Sequence, residues 1–184
     1  MAALECFAEN GYHATTTRDI ASRAELSPAA VYVHFPSKGE LLYSLSKVGH
    51  QAAWSTLRNA AGSEADPVAR MRLMVAAFAS WHARNYRLAR VVLYELRGNS
   101  EDRREELVRF RRRFGEAFET EIEIGVKEGA FDVEDVPGVV LAILSLCIDV
   151  ARWYSPSGPR TPTELGDLYG ELILKMLGVE KSAI

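Results

Sequence analysis

The chain has 184 residues, a formal net charge of −3 and 48% hydrophobic residues. This length accommodates one small domain and a larger one with a buried core, and the mildly acidic balance provides no general attraction to membranes or nucleic acids. The cysteines Cys6 and Cys147 lie far apart and show no metal-ligand or disulfide spacing, as expected in a reducing cytoplasm.

Residues 16–40 predict two short helices joined by a tight turn and followed at once by a longer helix. Thr16 is a candidate N-cap with Asp19 at capping-box spacing. In the turn that follows, we expect Leu26 to point inward and hold the two helices together. Ser27 is a good N-cap and Pro28 suits the first helical position. This layout is that of a helix-turn-helix.

The N-terminal region is not basic, although a strong electrostatic DNA binder would carry a basic patch. Within residues 1–46, carboxylates outnumber cationic side chains. The cationic residues are Arg18, Arg23 and Lys38, and the carboxylates are Glu5, Glu9, Asp19, Glu25 and Glu40. Short capped helices also occur in any all-helical protein. Spacing alone therefore leaves ordinary helical packing open as an alternative to DNA binding.

The rest of the chain predicts helices only, because no alternating run with hairpin turns occurs. Glycines, prolines and capping residues separate six further helices, at residues 37–61, 67–84, 86–97, 100–128, 136–154 and 161–177. Together with the N-terminal helices, this predicts an all-α protein of about nine helices. We place an N-terminal helix-turn-helix domain at residues 1–46 and a larger helical domain at residues 47–184.

The last two helices are the predicted dimer surface. The eighth is apolar nearly all round, more than one intramolecular face requires, and the ninth carries an apolar stripe at i, i+3, i+4 spacing. The candidate interface residues are Leu141, Leu144, Ile148, Leu165, Leu168, Tyr169, Leu172, Ile173 and Met176. The alternative is that both helices are buried within one chain. The uncharged run 139–148 is too short to span a bilayer, so we expect no membrane partner.

The middle helices are rich in aromatic residues, which favours either a packed core or an apolar ligand site with a few polar anchors. The candidate ligand-binding residues are Phe78, Trp81, His82, Tyr94, Phe110, Phe114, Phe118, Cys147 and Arg152. Pattern alone does not distinguish a cavity from a filled core. For Arg152 an intrahelical ion pair with Asp149, at i, i+3 spacing, is the simpler interpretation.

Three segments, 7–12, 16–21 and 31–35, followed by Lys38, form an ordered set of matches that resembles the DNA-binding domain of the TetR family of transcriptional regulators. The resemblance implies a dimer with an N-terminal helix-turn-helix domain and a C-terminal ligand-binding and dimerisation domain. It implies double-stranded operator DNA and a small-molecule effector as partners, and no cofactor. Family members carry a dozen or more residues before the equivalent of Ala2, so we expect a start codon further upstream or a shortened chain.

The same resemblance implies which residues face the DNA. Thr17 and Arg18 would contact phosphate or a base edge from the start of the second helix. The N-terminal end of the recognition helix would enter the groove with Ser27, Pro28, Ala29 and Ala30, while backbone phosphates would be contacted by Tyr32, His34 and Lys38. Val31 and Phe35 would be core, and the alternative for Tyr32 is an aromatic that packs the domain.

Residues 27–34 contain no Arg, Asn or Gln, so this helix offers almost no side chain able to make a bidentate base contact. Ala29 and Ala30 can pack only on thymine methyl groups. We therefore predict that direct readout depends on Arg18, and that DNA shape and dimer spacing supply much of the specificity.

Residues 88–97 and 150–158 resemble the C-terminal domains of actinobacterial members that regulate lipid or sterol breakdown and respond to acyl-CoA thioesters. This second resemblance implies an elongated apolar channel with basic residues at its mouth. The seventh helix has a basic start, with Arg103, Arg104, Arg109, Arg111, Arg112 and Arg113. The alternative for these arginines is a solvated face that pairs with neighbouring carboxylates. A drug-responsive efflux regulator and a helical interaction protein with weak or lost DNA binding remain alternative functions.

An enzyme is not predicted. The four histidines, His13, His34, His50 and His82, are scattered without partners at metal or catalytic spacing. The sequence also contains no glycine-rich phosphate loop and no nucleophile elbow.

Overall fold

The computed structural model describes the backbone of residues 1–95 and 101–179, and within that part all side chains except those of residues 94, 95 and 101–104. Every regular element in these described residues is an α-helix, which confirms the all-α prediction. The described residues contain nine helices, which are α1 (Ala2–Ala14), α2 (Thr17–Arg23), α3 (Pro28–His34), α4 (Lys38–Ala61), α5 (Pro67–Arg84), α6 (Tyr86–Glu95), α7 (Glu101–Lys127), α8 (Val136–Trp153) and α9 (Pro162–Met176).

Side-chain caps set where several helices begin, as the sequence predicts. Thr16 and Asp19 form a reciprocal capping box at α2, and Thr161 and Glu164 form another at α9. Each box satisfies two backbone N–H groups that have no partner within the helix. Asp135 caps α8 in a simpler way, by accepting a hydrogen bond from the backbone N–H of residue 138.

The chain forms two compact units, each assembled from separate segments. The first contains Met1–Gln51 and Arg87–Arg109. Its core contains buried side chains of α1 to α4 together with Val91 of α6. A Cβ atom on Gly49 would lie 3.2 Å from the side chain of Leu88, so α4 and α6 are in close contact here. The first unit therefore includes residues that the sequence assigns to the second domain.

One expectation within the first unit is wrong. Leu26 does not point inward between α2 and α3 but is 51% exposed. It lines an apolar cavity of about 450 Å³ together with Ile20, Val31 and Leu45. Ile20 and Val31 are buried and hold α2 against α3 without it.

The second unit contains Ala52–Tyr86 and Phe110–Ile184. In it, two glycines bring α9 against α5. A Cβ atom on Gly166 would lie 2.2 Å from Oγ of Ser80 and 2.4 Å from the carbonyl oxygen of Ala76, and one on Gly170 would lie 3.1 Å from the carbonyl of Arg72. The hydroxyl of Ser80 donates a hydrogen bond of 2.8 Å to the carbonyl of Pro162. Small residues one turn apart therefore determine how closely these helices approach.

The helix α8 is unusually apolar for a surface element. Its 18 residues have a mean hydropathy of 1.8, and 22% of them are buried within the chain. By length and composition it is therefore long enough to cross a membrane, contrary to the expectation from the uncharged run 139–148. One such helix is weak evidence for a membrane span, because core helices of soluble proteins have the same character.

Candidate functional sites

The recognition helix α3 is built on a capped, solvent-facing N-terminus. Ser27 accepts a hydrogen bond of 3.1 Å from the backbone N–H of Ala30, and Pro28 occupies the first turn. Ser27, Pro28 and Ala29 are exposed and Ala30 is half-buried. Val31 is buried and attaches the helix to the core of the first unit, as predicted.

The turn before this helix has an unusual backbone. Glu25 adopts φ = 56°, in the left-handed region. For a residue with a Cβ atom, that conformation costs roughly 1–2 kcal/mol. The turn is closed by hydrogen bonds from the N–H groups of Glu25 and Leu26 to the carbonyls of Ser22 and Ala21, which hold α2 and α3 at their mutual angle.

Two of the predicted DNA contacts interact with each other. The hydroxyl groups of Thr17 and Tyr32 share a hydrogen bond of 2.7 Å, which links the start of α2 to α3. Tyr32 is 48% exposed, so its ring is not a buried packing aromatic. Arg18 is exposed beside them, with no ion pair to any carboxylate among the described residues. The hydrogen bond thus joins α2 to α3 at an exposed position, and Arg18 follows Thr17 in the first turn of α2.

The structure gives Lys38 a different role from the predicted phosphate contact. Its ammonium group donates hydrogen bonds to the carbonyls of Tyr12, His13 and Thr15, at 2.6, 3.2 and 2.8 Å, and lies 4.4 Å from the centre of the Tyr12 ring. Carbonyls at a helix C-terminus lack intrahelical partners and attract cations. Because an ammonium has three N–H donors, Lys38 uses all of them to cap α1 and leaves none for DNA.

Positive charge at this face is therefore scarce. Arg23 pairs with Glu9 at 2.6 Å and lies 3.9 Å from Glu5, so α1 neutralises it. His34 is exposed at the end of α3. Residues 1–51 contain two arginines, Arg18 and Arg23, and of these Arg18 has no ion pair with a carboxylate of the described residues. The low charge noted in the sequence thus becomes lower still in the structure.

A polar cluster that the sequence analysis missed lies elsewhere in the first unit. The hydroxyl of Tyr43 donates a short hydrogen bond to the carboxylate of Glu106, and the ammonium of Lys47 lies 3.2 Å from the other oxygen of that carboxylate. The hydrogen bond from Tyr43, followed by that from Lys47, lowers the pKa of Glu106. This cluster joins α4 to α7, and no local sequence signal marks it because its members are about sixty residues apart.

The aromatic residues of the second unit form a packed cluster. The rings of Phe114 and Phe118 lie 5.1 and 5.7 Å from that of Phe78, and the ring of Trp54 lies 6.0 Å from Phe114. All three phenylalanines are buried. These distances are those of rings in mutual contact, so the three predicted ligand residues are the centre of a core, and they can only border a cavity.

The polar candidates around this core differ in burial. His82 is buried, its Nδ1 lies 2.8 Å from the carbonyl of Phe78, and its ring lies 5.0 Å from that of Trp81. Cys147 is buried, and burial raises the pKa of its thiol. Phe110 and Trp81 are half-buried. The predicted contribution of Tyr94 lies outside the described side chains.

Arg152 is not an inward-facing anchor. Its side chain is largely exposed, and its Nε lies 3.3 Å from the carboxylate of Asp149. The predicted ligand role of Arg152 is therefore replaced by the simpler interpretation, an ion pair between residues one turn apart on α8. A different arginine, Arg111, is half-buried on α7. In the sequence, Arg111 belongs to the basic start of that helix, where its charge resembles that of its exposed neighbours.

The predicted dimer residues divide into exposed and buried sets. Leu141 is 68% exposed, and Leu172 and Met176 are also exposed. The intermediate set consists of Leu144, Ile148, Leu168 and Tyr169. Leu165 and Ile173 are buried within their own chain, so they cannot be surface contacts. The reason is the close approach of α9 to α5, which covers one side of the stripe. No group of metal-binding side chains occurs in the part of the chain that the structure describes.

Comparison with known proteins covers both units. A family profile described as bacterial regulatory proteins of the tetR family matches residues 1–45, and one described as a tetracyclin repressor-like C-terminal domain matches residues 64–177. The HTH-type transcriptional repressor KstR2 of Mycobacterium tuberculosis is 30% identical over 182 residues, which cover 97% of this chain and 89% of that protein.

Solved structures agree with this assignment. A bacterial regulatory protein in the tetR family from Rhodococcus RHA1 is 38% identical, covers 98% of this chain and 95% of its own, and superposes with a TM-score of 0.92. The ketosteroid transcriptional regulator KstR2 of Mycobacterium tuberculosis is 27% identical in its structure, covers 98% of this chain and 92% of its own, and has a TM-score of 0.86.

Proposed function

The chain belongs to the TetR family of bacterial regulatory proteins, and we propose that it is a cytoplasmic transcriptional repressor released from DNA by a small apolar effector. In this proposal it binds a palindromic operator as a homodimer. The observation that carries the DNA-binding half is the exposed N-terminus of α3 beside the exposed Arg18. The effector half rests on the match to the family's C-terminal domain and on the similarity to KstR2.

DNA reading by this surface depends on few groups. Arg18 can make a bidentate contact with guanine, and the methyl groups of Ala29 and Ala30 can pack on thymine. Tyr32, positioned by Thr17, supports a phosphate contact through its hydroxyl. With so few cations, one copy of this surface binds DNA weakly. Two copies held at a fixed distance supply the missing affinity and read the spacing of the half-sites.

The homodimer follows from apolar surface that a monomer would leave in water. Leu141 of α8 and Leu172 and Met176 of α9 are exposed. In α8 as a whole, 22% of the residues are buried within the chain. Exposed apolar side chains mark an association site where they form one contiguous patch, and the proposed dimer places these three in one patch. Two helices from each chain would bury these side chains against each other in a four-helix arrangement.

For the effector we propose an acyl-CoA or a related molecule with a large apolar body. Similarity to KstR2, a ketosteroid transcriptional regulator, supports an effector from lipid or steroid metabolism. Clear binding of a cationic drug, with no heat on titration of long-chain acyl-CoAs, would favour a drug-responsive efflux regulator instead. A protein that binds neither operator DNA nor a small effector would instead be a helical interaction protein.

Release follows from linkage between the two sites. The helix α4 runs without interruption from Lys38 to Ala61 and contributes residues to both units, as α7 does from Glu101 to Lys127. An effector that prefers a dimer with the wrong separation of recognition helices weakens DNA binding, and DNA weakens effector binding by the same factor. We propose that α4 carries this change, moving the DNA-reading helices as a pendulum.

Fluorescence anisotropy with labelled duplexes from the regions flanking its own gene tests DNA reading. We expect saturable binding. The unlabelled duplex of the same sequence should displace the labelled duplex at a lower concentration than shuffled DNA does. The variant Arg18→Ala should lose at least tenfold in operator affinity and most of the preference over shuffled DNA, because a bidentate base contact is worth about 1–3 kcal/mol. The matched control is Arg112→Ala, an exposed arginine of α7. Equal weakening on all sequences would show that Arg18 contacts only phosphate.

Sedimentation velocity at micromolar concentration tests the homodimer. Leu172→Glu places a charge on the proposed interface and should produce monomers. Leu73→Glu is the control, since Leu73 of α5 and Leu172 are almost equally exposed, at 38% and 39%. A monomeric wild-type protein, or dimers that withstand the Leu172 substitution, would contradict the proposed interface.

A further inference from the structure

Arg111 occupies the centre of the inward face of α7. Helical geometry places it about 20° from Phe118 on one side and about 20° from Ile122 on the other. Both of these side chains are fully buried, and Phe114, three residues along, is also buried. A residue in the middle of such a face is normally apolar. Arg111 is half-buried there, whereas Arg112, about 100° further around the helix, is exposed.

The surroundings of Arg111 are apolar. Gly115 lies one turn along the same face, and a Cβ atom on it would lie 3.7 Å from Leu144 and 3.8 Å from Val140, so this side of α7 faces α8. The neighbouring buried positions of α8 are Ile143 and Cys147. None of these residues offers a carboxylate to a guanidinium.

The guanidinium of Arg111 has no hydrogen bond or ion pair with any of the residues that the structure describes. Burial alone lowers its pKa, with no contribution from a neighbouring acid. The other arginines of this part of α7 are in different situations: Arg113 stacks 4.5 Å from the centre of the Trp54 ring, and Arg112 is in water. A partly buried, unpaired charge costs free energy, and an anion supplied by a ligand would offset that cost.

We propose that Arg111 is the anion-binding residue of the effector site in the second unit, where it takes the acidic group of a ligand whose apolar body lies along α7 and α8. This inference rests on the proposed function, in that the ligand is the effector. It adds a chemical requirement: the effector is an amphipathic anion rather than a neutral sterol or a cationic drug. Carboxylate and phosphate groups both fit the planar guanidinium fork.

A pair of fluorescent probes tests this requirement without knowledge of the natural effector. Anilinonaphthalene sulfonate and N-phenyl-1-naphthylamine share one apolar body, and only the first carries an anionic group. We expect the wild-type protein to bind the sulfonate at least tenfold more tightly than the neutral amine. Arg111→Met should abolish this preference through weaker binding of the sulfonate alone, and Arg112→Met should retain it.

Stability separates a binding role from a structural one. Because Arg111→Met replaces an unpaired charge with an apolar side chain of similar length, we expect the melting temperature to stay the same or rise. A clear drop would show that the guanidinium stabilises the fold, and would overturn the proposal. Absence of sulfonate binding to the wild type, or an unchanged preference in the Arg111 variant, would overturn it as well.

Displacement of the sulfonate probe by palmitate or by palmitoyl-CoA identifies the source of the anion. Displacement by palmitate that depends on Arg111 assigns a carboxylate, and displacement by palmitoyl-CoA alone assigns the phosphates. The DNA-binding assay is run on the same variants. If Arg111→Met still binds operator DNA but keeps the anion preference, the anion site alone is refuted; if wild type binds no operator, the proposed function fails independently.

Discussion

The contact between α9 and α5 makes Gly166→Ala the most informative test of the second unit. The added Cβ atom would lie 2.2 Å from Oγ of Ser80 and 2.4 Å from the carbonyl oxygen of Ala76. Since one of these atoms belongs to the backbone, the helices must move apart by about 1 Å to restore ordinary contact. Overpacking costs about 1–3 kcal/mol, and the better helix propensity of alanine returns about 1 kcal/mol.

We therefore expect Gly166→Ala to lower the free energy of unfolding by about 1 kcal/mol, measured by urea denaturation followed by circular dichroism at constant protein concentration. Two matched substitutions in helices calibrate this value. At Gly170 the nearest atoms would be 3.1 Å away, and at Gly115 they would be 3.7 Å away. Gly170→Ala should be close to neutral and Gly115→Ala neutral or stabilising. A Gly166→Ala protein as stable as the Gly115 variant would refute the close approach of α9 to α5.

Three further substitutions test local contacts of the first unit. Tyr32→Phe removes the hydrogen bond to Thr17, and should weaken operator binding severalfold in anisotropy titrations while costing at most about 1 kcal/mol of stability; unchanged affinity would show that the hydroxyl does not help to position the DNA-reading surface. Glu25→Gly relieves the strain of the left-handed backbone and should raise the free energy of unfolding, measured by urea denaturation, by up to about 1 kcal/mol. A lower free energy of unfolding would contradict this. The depressed pKa of Glu106 adds stability above the ordinary glutamate pKa of about 4.3 that is lost as the pH falls through the folded-state value. The deficit of Glu106→Gln, which alters the contact with Tyr43, should therefore be present at neutral pH and shrink in acid; a deficit independent of pH would refute that assignment.

The helices were predictable because capping residues close to each helix terminus determine where the helix begins. Thr16, Ser27 and Thr161 each stand where a cap is needed, and the structure begins a helix after each of them. The apolar periods of α5 and α7 likewise indicate the faces that are buried. Local patterns of this kind determine element type with no knowledge of the tertiary fold.

The sites were less predictable, because their roles depend on partners distant in sequence. The resemblance predicts that Lys38 contacts a DNA phosphate. In the structure, backbone carbonyl groups more than twenty residues earlier accept hydrogen bonds from all three N–H groups of its ammonium. A helical stripe does not reveal which neighbour covers it, so the pattern predicts Leu165 and Ile173 at the dimer interface, whereas the structure buries both within the chain. Arg111 did carry a signal: it shares a face with Phe114 and Phe118, which its charge obscured.

The spacing of the half-sites tests the central claim that two recognition surfaces, each of which binds DNA weakly, bind together as one dimer. The measurement is the affinity of the wild-type protein for its footprinted operator, with about five or about ten base pairs inserted at the centre. The shorter insertion turns the half-sites to opposite faces of the DNA, and we predict loss of specific binding, with partial recovery at the full helical turn. Equal affinity for all three duplexes would show that each chain reads DNA alone and would contradict this account.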